Sequence, residues 1–276
     1  MRRFVLFALI IGLFLGCLGP SAAASWTYEG EGADTPEGAV RIYLEGIQQM
    51  DLAKMLGAFT IETYAEKSLF DEQLMRARAY YFSLPIKFPA SNELLAALNV
   101  ETRKNDLITS IIVQLFRFHM PEYEVYQHTP FAPGPAMARE VSAFIDKLND
   151  GLEALTMQTL EIDGFYPPAL ASALYDTPGN KSRLVSAAEM HGAEEVQSVI
   201  ALFTVEETRY MLCSDAIRYG EKWYILHLNG HIGNILALPP TAGGFAVTRF
   251  EVLAEGVKVE PSMPYYHPLP PAPVPD

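Results

Sequence analysis

The apolar residues of this chain change period part-way along it, and that change limits the fold more than any other feature. From Val40 to Leu155 they recur mostly at helical spacing. From Leu160 to Val259 they fall into short runs rich in β-branched and aromatic residues, divided by turn-forming residues. Helices that precede strands as a block argue against alternating βαβ units. They predict an α+β protein with N-terminal helices laid on an antiparallel sheet.

The first helix is signalled by Thr35-Pro36-Glu37: a capping hydroxyl, a proline where a missing N–H matters little, and an acid at the positive end of the dipole. Val40, Tyr43, Leu44, Ile47 and Met50 form its stripe. Asp51 is placed to cap a second helix carrying Leu52, Met55, Leu56 and Phe59, and the pattern resumes from Tyr64 to Phe82 with Leu69, Phe70, Leu74 and Tyr81 as core candidates. Pro85 and Pro89 break it. Asn92 to His119 reads as one long or two shorter helices, although Ile108 to Phe118 is apolar enough for a strand. After Pro121 and the Pro130 to Pro135 stretch, Met137 to Leu155 is helical again, with Val141, Phe144, Ile145, Leu148 and Leu152 on one side. Strands are expected over Leu160 to Tyr166, Val196 to Val205, Arg209 to Tyr219 and Trp223 to Leu228, with Gly220-Glu221 turning a hairpin. Phe245 to Val259 holds one or two more around Ala254-Glu255-Gly256.

Residues 1–24 carry an export signal: Arg2-Arg3, an apolar run from Phe4 to Leu15, and Ala22-Ala23-Ala24 as the cleavage site. The run falls short of the roughly 20 residues of a membrane span. Phe14-Leu15-Gly16-Cys17 is similar to a bacterial lipobox, which makes Cys17 a lipidation candidate. The chain is therefore expected to be exported, periplasmic or extracellular, and lipid-anchored to the envelope if Cys17 is modified. Either route leaves Cys213 without an intramolecular disulfide partner, so stability must come from burial.

Net charge is -13, and removing the two signal arginines leaves 18 basic against 33 acidic side chains, or -15. That acidity disfavours nucleic acid and anionic membrane surfaces. The expected partner is an unidentified small molecule or an envelope protein.

Thr35-Pro36-Glu37-Gly38-Ala39-Val40-Arg41-Ile42-Tyr43-Leu44, continuing through Gln49-Met50-Asp51-Leu52 and Met55-Leu56, resembles the opening of NTF2-like (cystatin-like α+β cone) exported proteins. The hairpin Ile217 to Ile225, with Lys222-Trp223-Tyr224-Ile225 after its glycine turn, resembles that fold's closing strands. The resemblance implies a curved sheet wrapping a helix around a cone-shaped cavity, which some relatives use for catalysis and many for ligand binding. The motifs lie far apart, so a helical insertion at about residues 83–155 is implied. The expected organisation is a linker at 25–34, one α+β domain at 35–260 and a tail at 261–276.

Chemistry-bearing patterns are sparse. His227 and His231 are four apart, but a strand end and Gly230 separate them, and no HExxH, CxxC or carboxylate cluster accompanies them. No metal or cofactor site is expected. A two-residue hairpin loop would set Ser214 opposite His227 and turn Asp215 to the other face, misplacing the acid for a Ser-His-Asp triad. Asp215 and His227 remain the catalytic candidates if either lines the cone. Cys213, among Met211, Leu212 and Ile217, reads as buried and inert, and Trp223 as core. Gly243-Gly244 reads as a turn. Asn180-Lys181-Ser182 is a formal glycosylation sequon. Seven of the 16 residues from Pro261 to Asp276 are proline, which favours an extended polyproline conformation.

The expectation is a non-catalytic binding or interaction module, not an enzyme. A small-molecule hydrolase or isomerase with an acid–His pair is the first alternative, and an envelope-assembly or structural protein the second.

Overall fold

The computed structural model describes residues 29–69, 92–119, 146, 150, 156–236, 244–253 and 256–261. The leader with Cys17, the helical readings at Phe70 to Phe82 and through most of Met137 to Leu155, the Gly243 half of the glycine turn, and the tail beyond Pro261 lie outside those residues. Gly244 begins a strand.

Helix α1 (Pro36–Gln49) starts where the sequence places it. The Thr35 hydroxyl accepts the Gly38 N–H at 3.0 Å, and Pro36 occupies the first turn. Val40, Tyr43, Leu44 and Ile47 are fully buried. Met50 leaves the expected stripe: it closes the helix at φ 52°, and its side chain is 45% exposed. Asp51 accepts from the Lys54 N–H at 3.1 Å to start α2 (Leu52–Gly57), which buries Met55 and Leu56 and leaves Leu52 exposed. Helix α3 (Glu62–Lys67) has no cap from its own N-cap residue, Ile61. A carboxylate oxygen of Glu29 accepts the N–H groups of Ile61, Glu62 and Thr63 at 3.0, 2.9 and 3.3 Å instead. Leu69, expected in the core, is 47% exposed.

Helix α4 (Glu93–His119) is continuous for 27 residues, so the strand-like stretch from Ile108 is helical. Asn99, Arg103, Leu107, Ile111, Gln114 and Phe118 make a buried stripe at steps of three and four.

The described strands are β1 (Glu161–Tyr166), β2 (Glu195–Val205), β3 (Thr208–Tyr219), β4 (Lys222–His227), β5 (Gly244–Leu253) and β6 (Gly256–Pro261). They form one antiparallel sheet in the order β1-β2-β3-β5-β6, with β4 also on β3. The length of β3 allows both pairings: residues 215–219 take β4 and residues 209–212 take β5. The protein is α+β, as the segregated periodicities require. The free edge of β4 is closed by Ala33, which exchanges hydrogen bonds with Trp223 at 2.9 and 2.8 Å, and by Ala58 O, which accepts from Ile225 N at 2.9 Å.

One face of the sheet, here the interior face, lies against α1 and α4. Phe203, Leu212, Ala216 and Ile225 meet Tyr43, Ile47, Phe59, Leu107 and Ile111 in one apolar cluster. The outer face is covered by pieces the sequence reading passed over: α5 (Pro168–Ala171), a 3₁₀ turn (Ala173–Asp176), α6 (Pro178–Met190) and α7 (His231–Ile235).

Candidate functional site

The site begins with an irregularity in the hairpin. From the Gly220-Glu221 turn, pairing runs regularly from Tyr219 opposite Lys222 to Ala216 opposite Ile225, then shifts, so that Asp215 stands opposite His227. A bulge between Asp215 and Ala216 absorbs one extra residue of β4. The expectation that Ser214 faces His227 is thereby corrected, and the two catalytic candidates become ladder neighbours.

The Asp215 carboxylate nevertheless turns to other partners. Ser198, its opposite on β2, donates its hydroxyl at 2.6 Å, and the backbone N–H of His231 lies 2.9 Å from both carboxylate oxygens. Asp215 is 8% exposed. Burial penalises the charged form and pushes its pKa up to about 6, with the Ser198 and His231 hydrogen bonds opposing the rise.

Gly230 permits this arrangement. A Cβ there would lie 2.4 Å from the Ser214 carbonyl carbon, and the Gly230 N–H donates to Cys213 O at 2.6 Å. A side chain at this position would push α7 off β3.

The ring of His231 is tied to a third element. Asn180 Nδ2 donates to Tyr175 O at 2.8 Å, which leaves Asn180 Oδ1 as the acceptor for His231 Nε2. That orientation puts the neutral ring's proton on Nε2 and its lone pair on Nδ1. Burial and the charge of Arg183 lower the His231 pKa, so the neutral ring is favoured. Asn180 is 7% exposed and fully engaged, which argues against the glycosylation sequon as an acceptor in the folded chain. The Tyr175 hydroxyl accepts the Ser198 N–H at 3.0 Å, serving an amide beyond the last β1 pair at Ile200.

Asn–His pairing beside a cysteine suggests nucleophilic catalysis, but the thiol is wrong for it. Cys213 is fully buried, and desolvation together with Asp215 pushes its pKa up. A nucleophilic thiol needs the opposite shift. Cys213 is inert packing, as its apolar neighbours imply. His227 is exposed on β4, with its ring centroid 6.4 Å from that of buried His191. Among the described residues, no three His, Cys, Asp or Glu side chains gather to hold a metal.

A second polar group sits at the same sheet end. Arg103 of α4 is 4% exposed, stacks over Tyr64 at 4.2 Å, and donates through Nη2 to Leu226 O at 2.6 Å. Its Nε, Ser214 Oγ and Asn229 Oδ1 are buried without a hydrogen-bond partner. Burial lowers the Arg103 pKa, while Tyr64 and Asp106 raise it.

On the interior face, where a cone would hold ligand, Tyr43, Phe59, Ile47, Met157, Leu160 and Phe203 are all under 2% exposed. The Tyr43 hydroxyl donates to Gln114 Oε1, and the Tyr210 hydroxyl donates to Phe118 O at 3.1 Å. Helix α4 thus closes both phenols. The residues missed by sequence reasoning are Ser198, Tyr175, Asn180 and His231 as a set. The available signal was Thr177-Pro178, which repeats the Thr-Pro start of α1.

No family model matches the chain, and no curated protein matches it. Among solved structures it is similar to a cystatin-like protein from Ruminococcus gnavus ATCC 29149, with 18% identity and a TM-score of 0.41 over 84% of this chain. This chain spans about half of that protein's length, 47%.

Proposed function

We propose that this chain is an exported, non-catalytic interaction module of the bacterial envelope, built on an NTF2-like cone whose interior is filled by its own side chains. The observation that carries the reading is the interior face. Tyr43, Phe59 and Phe203 bury their rings between α1, the sheet and the segment after α2, with Tyr43 and Phe59 edge-to-face at 5.6 Å. A cone packed in this way leaves recognition to the surface. Leu94 and Leu98 of α4, one turn apart and 68% and 45% exposed, offer an apolar pair at the surface. No described helix is long and apolar enough to cross a membrane.

Native followed by denaturing mass spectrometry on protein purified from its own envelope or medium tests this. A native mass equal to the denatured mass is expected. A discrete retained small molecule would overturn the filled cone. The denatured mass also separates cleavage after Ala24 from lipidation at Cys17.

A hydrolase or isomerase is the second reading, favoured by a carboxyl of pKa about 6 placed opposite His227 in the ladder. Turnover of ester, amide or ketone panels that disappears in both Asp215→Asn and His227→Ala would establish it. The non-catalytic reading expects no turnover that depends on either residue.

A further inference from the structure

Three buried side-chain atoms lack a hydrogen-bond partner among the described residues: Arg103 Nε of α4, Ser214 Oγ of β3 and Asn229 Oδ1 just past β4. All three belong to the place where the chain leaves β4. Arg103 reaches that strand directly, its Nη2 donating to Leu226 O at 2.6 Å. Ser214 shares a face of β3 with Leu212 and Ala216 of the interior cluster, and so points toward the helices. Leu107, one turn on from Arg103, lies in that same cluster, as does Leu228, which follows His227 past its pairing with Asp215. Gly230 then returns to β3. Its N–H donates to Cys213 O at 2.6 Å, and a Cβ on it would lie 2.4 Å from the Ser214 carbonyl carbon. Arg103 and Ser214 are 4% and 0% exposed, so bulk solvent serves neither.

Charge decides what such a site takes. The guanidinium of Arg103 has Leu226 O and the face of Tyr64 at 4.2 Å, but no ion pair with a carboxylate among the described residues. Asp106, one turn on, is exposed. A buried cation without a counter-charge is costly. A water would complete hydrogen bonds and leave that charge unanswered, whereas an anion does both. Arg103 Nε and the Ser214 hydroxyl are donors, and the Asn229 amide, held by no side-chain hydrogen bond to a described residue, turns its Nδ2 inward at little cost. Leu107, Leu212, Ala216 and Leu228 are all buried, which suits a monatomic anion better than a bulky one. We propose that Arg103, Ser214 and Asn229 form a halide site, of chloride size, that ties α4 to the end of β4. The site stands apart from the rings that fill the cone. A retained organic molecule would end the filled cone and leave this site, while melting indifferent to halide would end this site and leave the cone.

The test is thermal melting of the full chain in sodium chloride, sodium bromide and sodium gluconate, with gluconate keeping the ionic strength constant. Wild type is expected to melt about 5 °C higher as either halide rises from about 1 mM to about 300 mM, along a single-site saturation curve. Ser214→Ala removes one donor and also a buried hydroxyl that has no partner. It should melt at or above wild type in gluconate and need roughly tenfold more halide for the same rise. Arg103→Gln, which lacks the charge, should melt at one temperature whatever the halide concentration. If Arg103→Gln does not fold, Ser214→Ala and Asn229→Ala decide, both losing halide sensitivity. Crystals grown in bromide should show an anomalous peak beside Arg103 Nε and Ser214 Oγ. Wild-type melting that ignores halide overturns the site, and so does an ordered water at that position in the bromide crystals. A halide response of the same size in Ser214→Ala and Asn229→Ala as in wild type also overturns it, since it would show an adventitious ion only.

Discussion

On the interior face of the sheet one large apolar cluster carries most of the burial, with Asn99, Arg103 and Gln114 of α4 buried beside it, and the phenol hydroxyls of Tyr43 and Tyr210 are each closed by α4. On the outer face, two smaller apolar clusters flank a buried carboxylic acid whose partners come from β2 and α7. The interior face is pinned by long elements, α1 and the 27-residue α4. The outer face is covered by segments of four, four, 13 and five residues. Short helices bring little area each, so their placement depends on specific hydrogen bonds. The difference separates a body held by area from a cover whose hydrogen bonds converge on one buried carboxyl, Asp215.

The largest expected effect tests the body. Phe59→Ala removes a fully buried ring from contact with Tyr43 and should lower stability by about 3–5 kcal/mol at pH 5 and pH 7.5 alike. Trp223→Ala, 7% exposed at the closed β4 edge, should fall in the same range of about 3–5 kcal/mol. Urea denaturation at both pH values measures this. A cost confined to one pH would couple the interior to a titrating group and erase the contrast.

The outer face carries the pH dependence. With Asp215 raised from 3.8 to about 6, its ionisation should remove up to about 3 kcal/mol of stability as pH rises from 4 to 7. Asp215→Asn should flatten this part of the profile in urea melts followed across the pH range. Next in size, Gly230→Ala forces a Cβ against the Ser214 backbone and should cost about 1–3 kcal/mol while raising Cys213 reactivity at every pH. Unchanged labelling of Cys213 would show that α7 does not depend on that close approach.

The same contrast explains what the sequence made legible. The starts of α1 and α2 are encoded by neighbours, Thr35 for Gly38 and Asp51 for Lys54, and both were readable. The start of α3 depends on Glu29, more than 30 residues upstream, and no local pattern announces it. Strand positions emerged from composition, but the bulge at Asp215 did not. A one-residue shift leaves the alternation of Val196 to Tyr219 intact while changing who faces His227. Helix α6 was missed because it is mostly polar, with only Asn180 and Ala188 buried. Its function in the site comes from Asn180 and its bonds to Tyr175 and His231, a tertiary arrangement invisible to periodicity.

Tyr175→Phe gives the smallest change and sharpens the comparison most. The Tyr175 hydroxyl accepts from Ser198 N just where β1 has ended, while the Ser198 hydroxyl donates to Asp215. Removing the phenol oxygen leaves that amide short of an acceptor and should cost about 1 kcal/mol, since the ring still packs on the outer cluster. It leaves both donors to Asp215 in place, so the midpoint of the fall in stability with rising pH should stay with wild type while the whole profile drops. Ser198→Ala should do the reverse, moving the midpoint. Both variants touch Ser198 of β2, but only Ser198→Ala takes a donor from Asp215. If Tyr175→Phe also displaced the midpoint, the outer network would titrate as a unit, and the pH dependence would belong to the Tyr175–Ser198–Asp215 chain instead of to Asp215 alone.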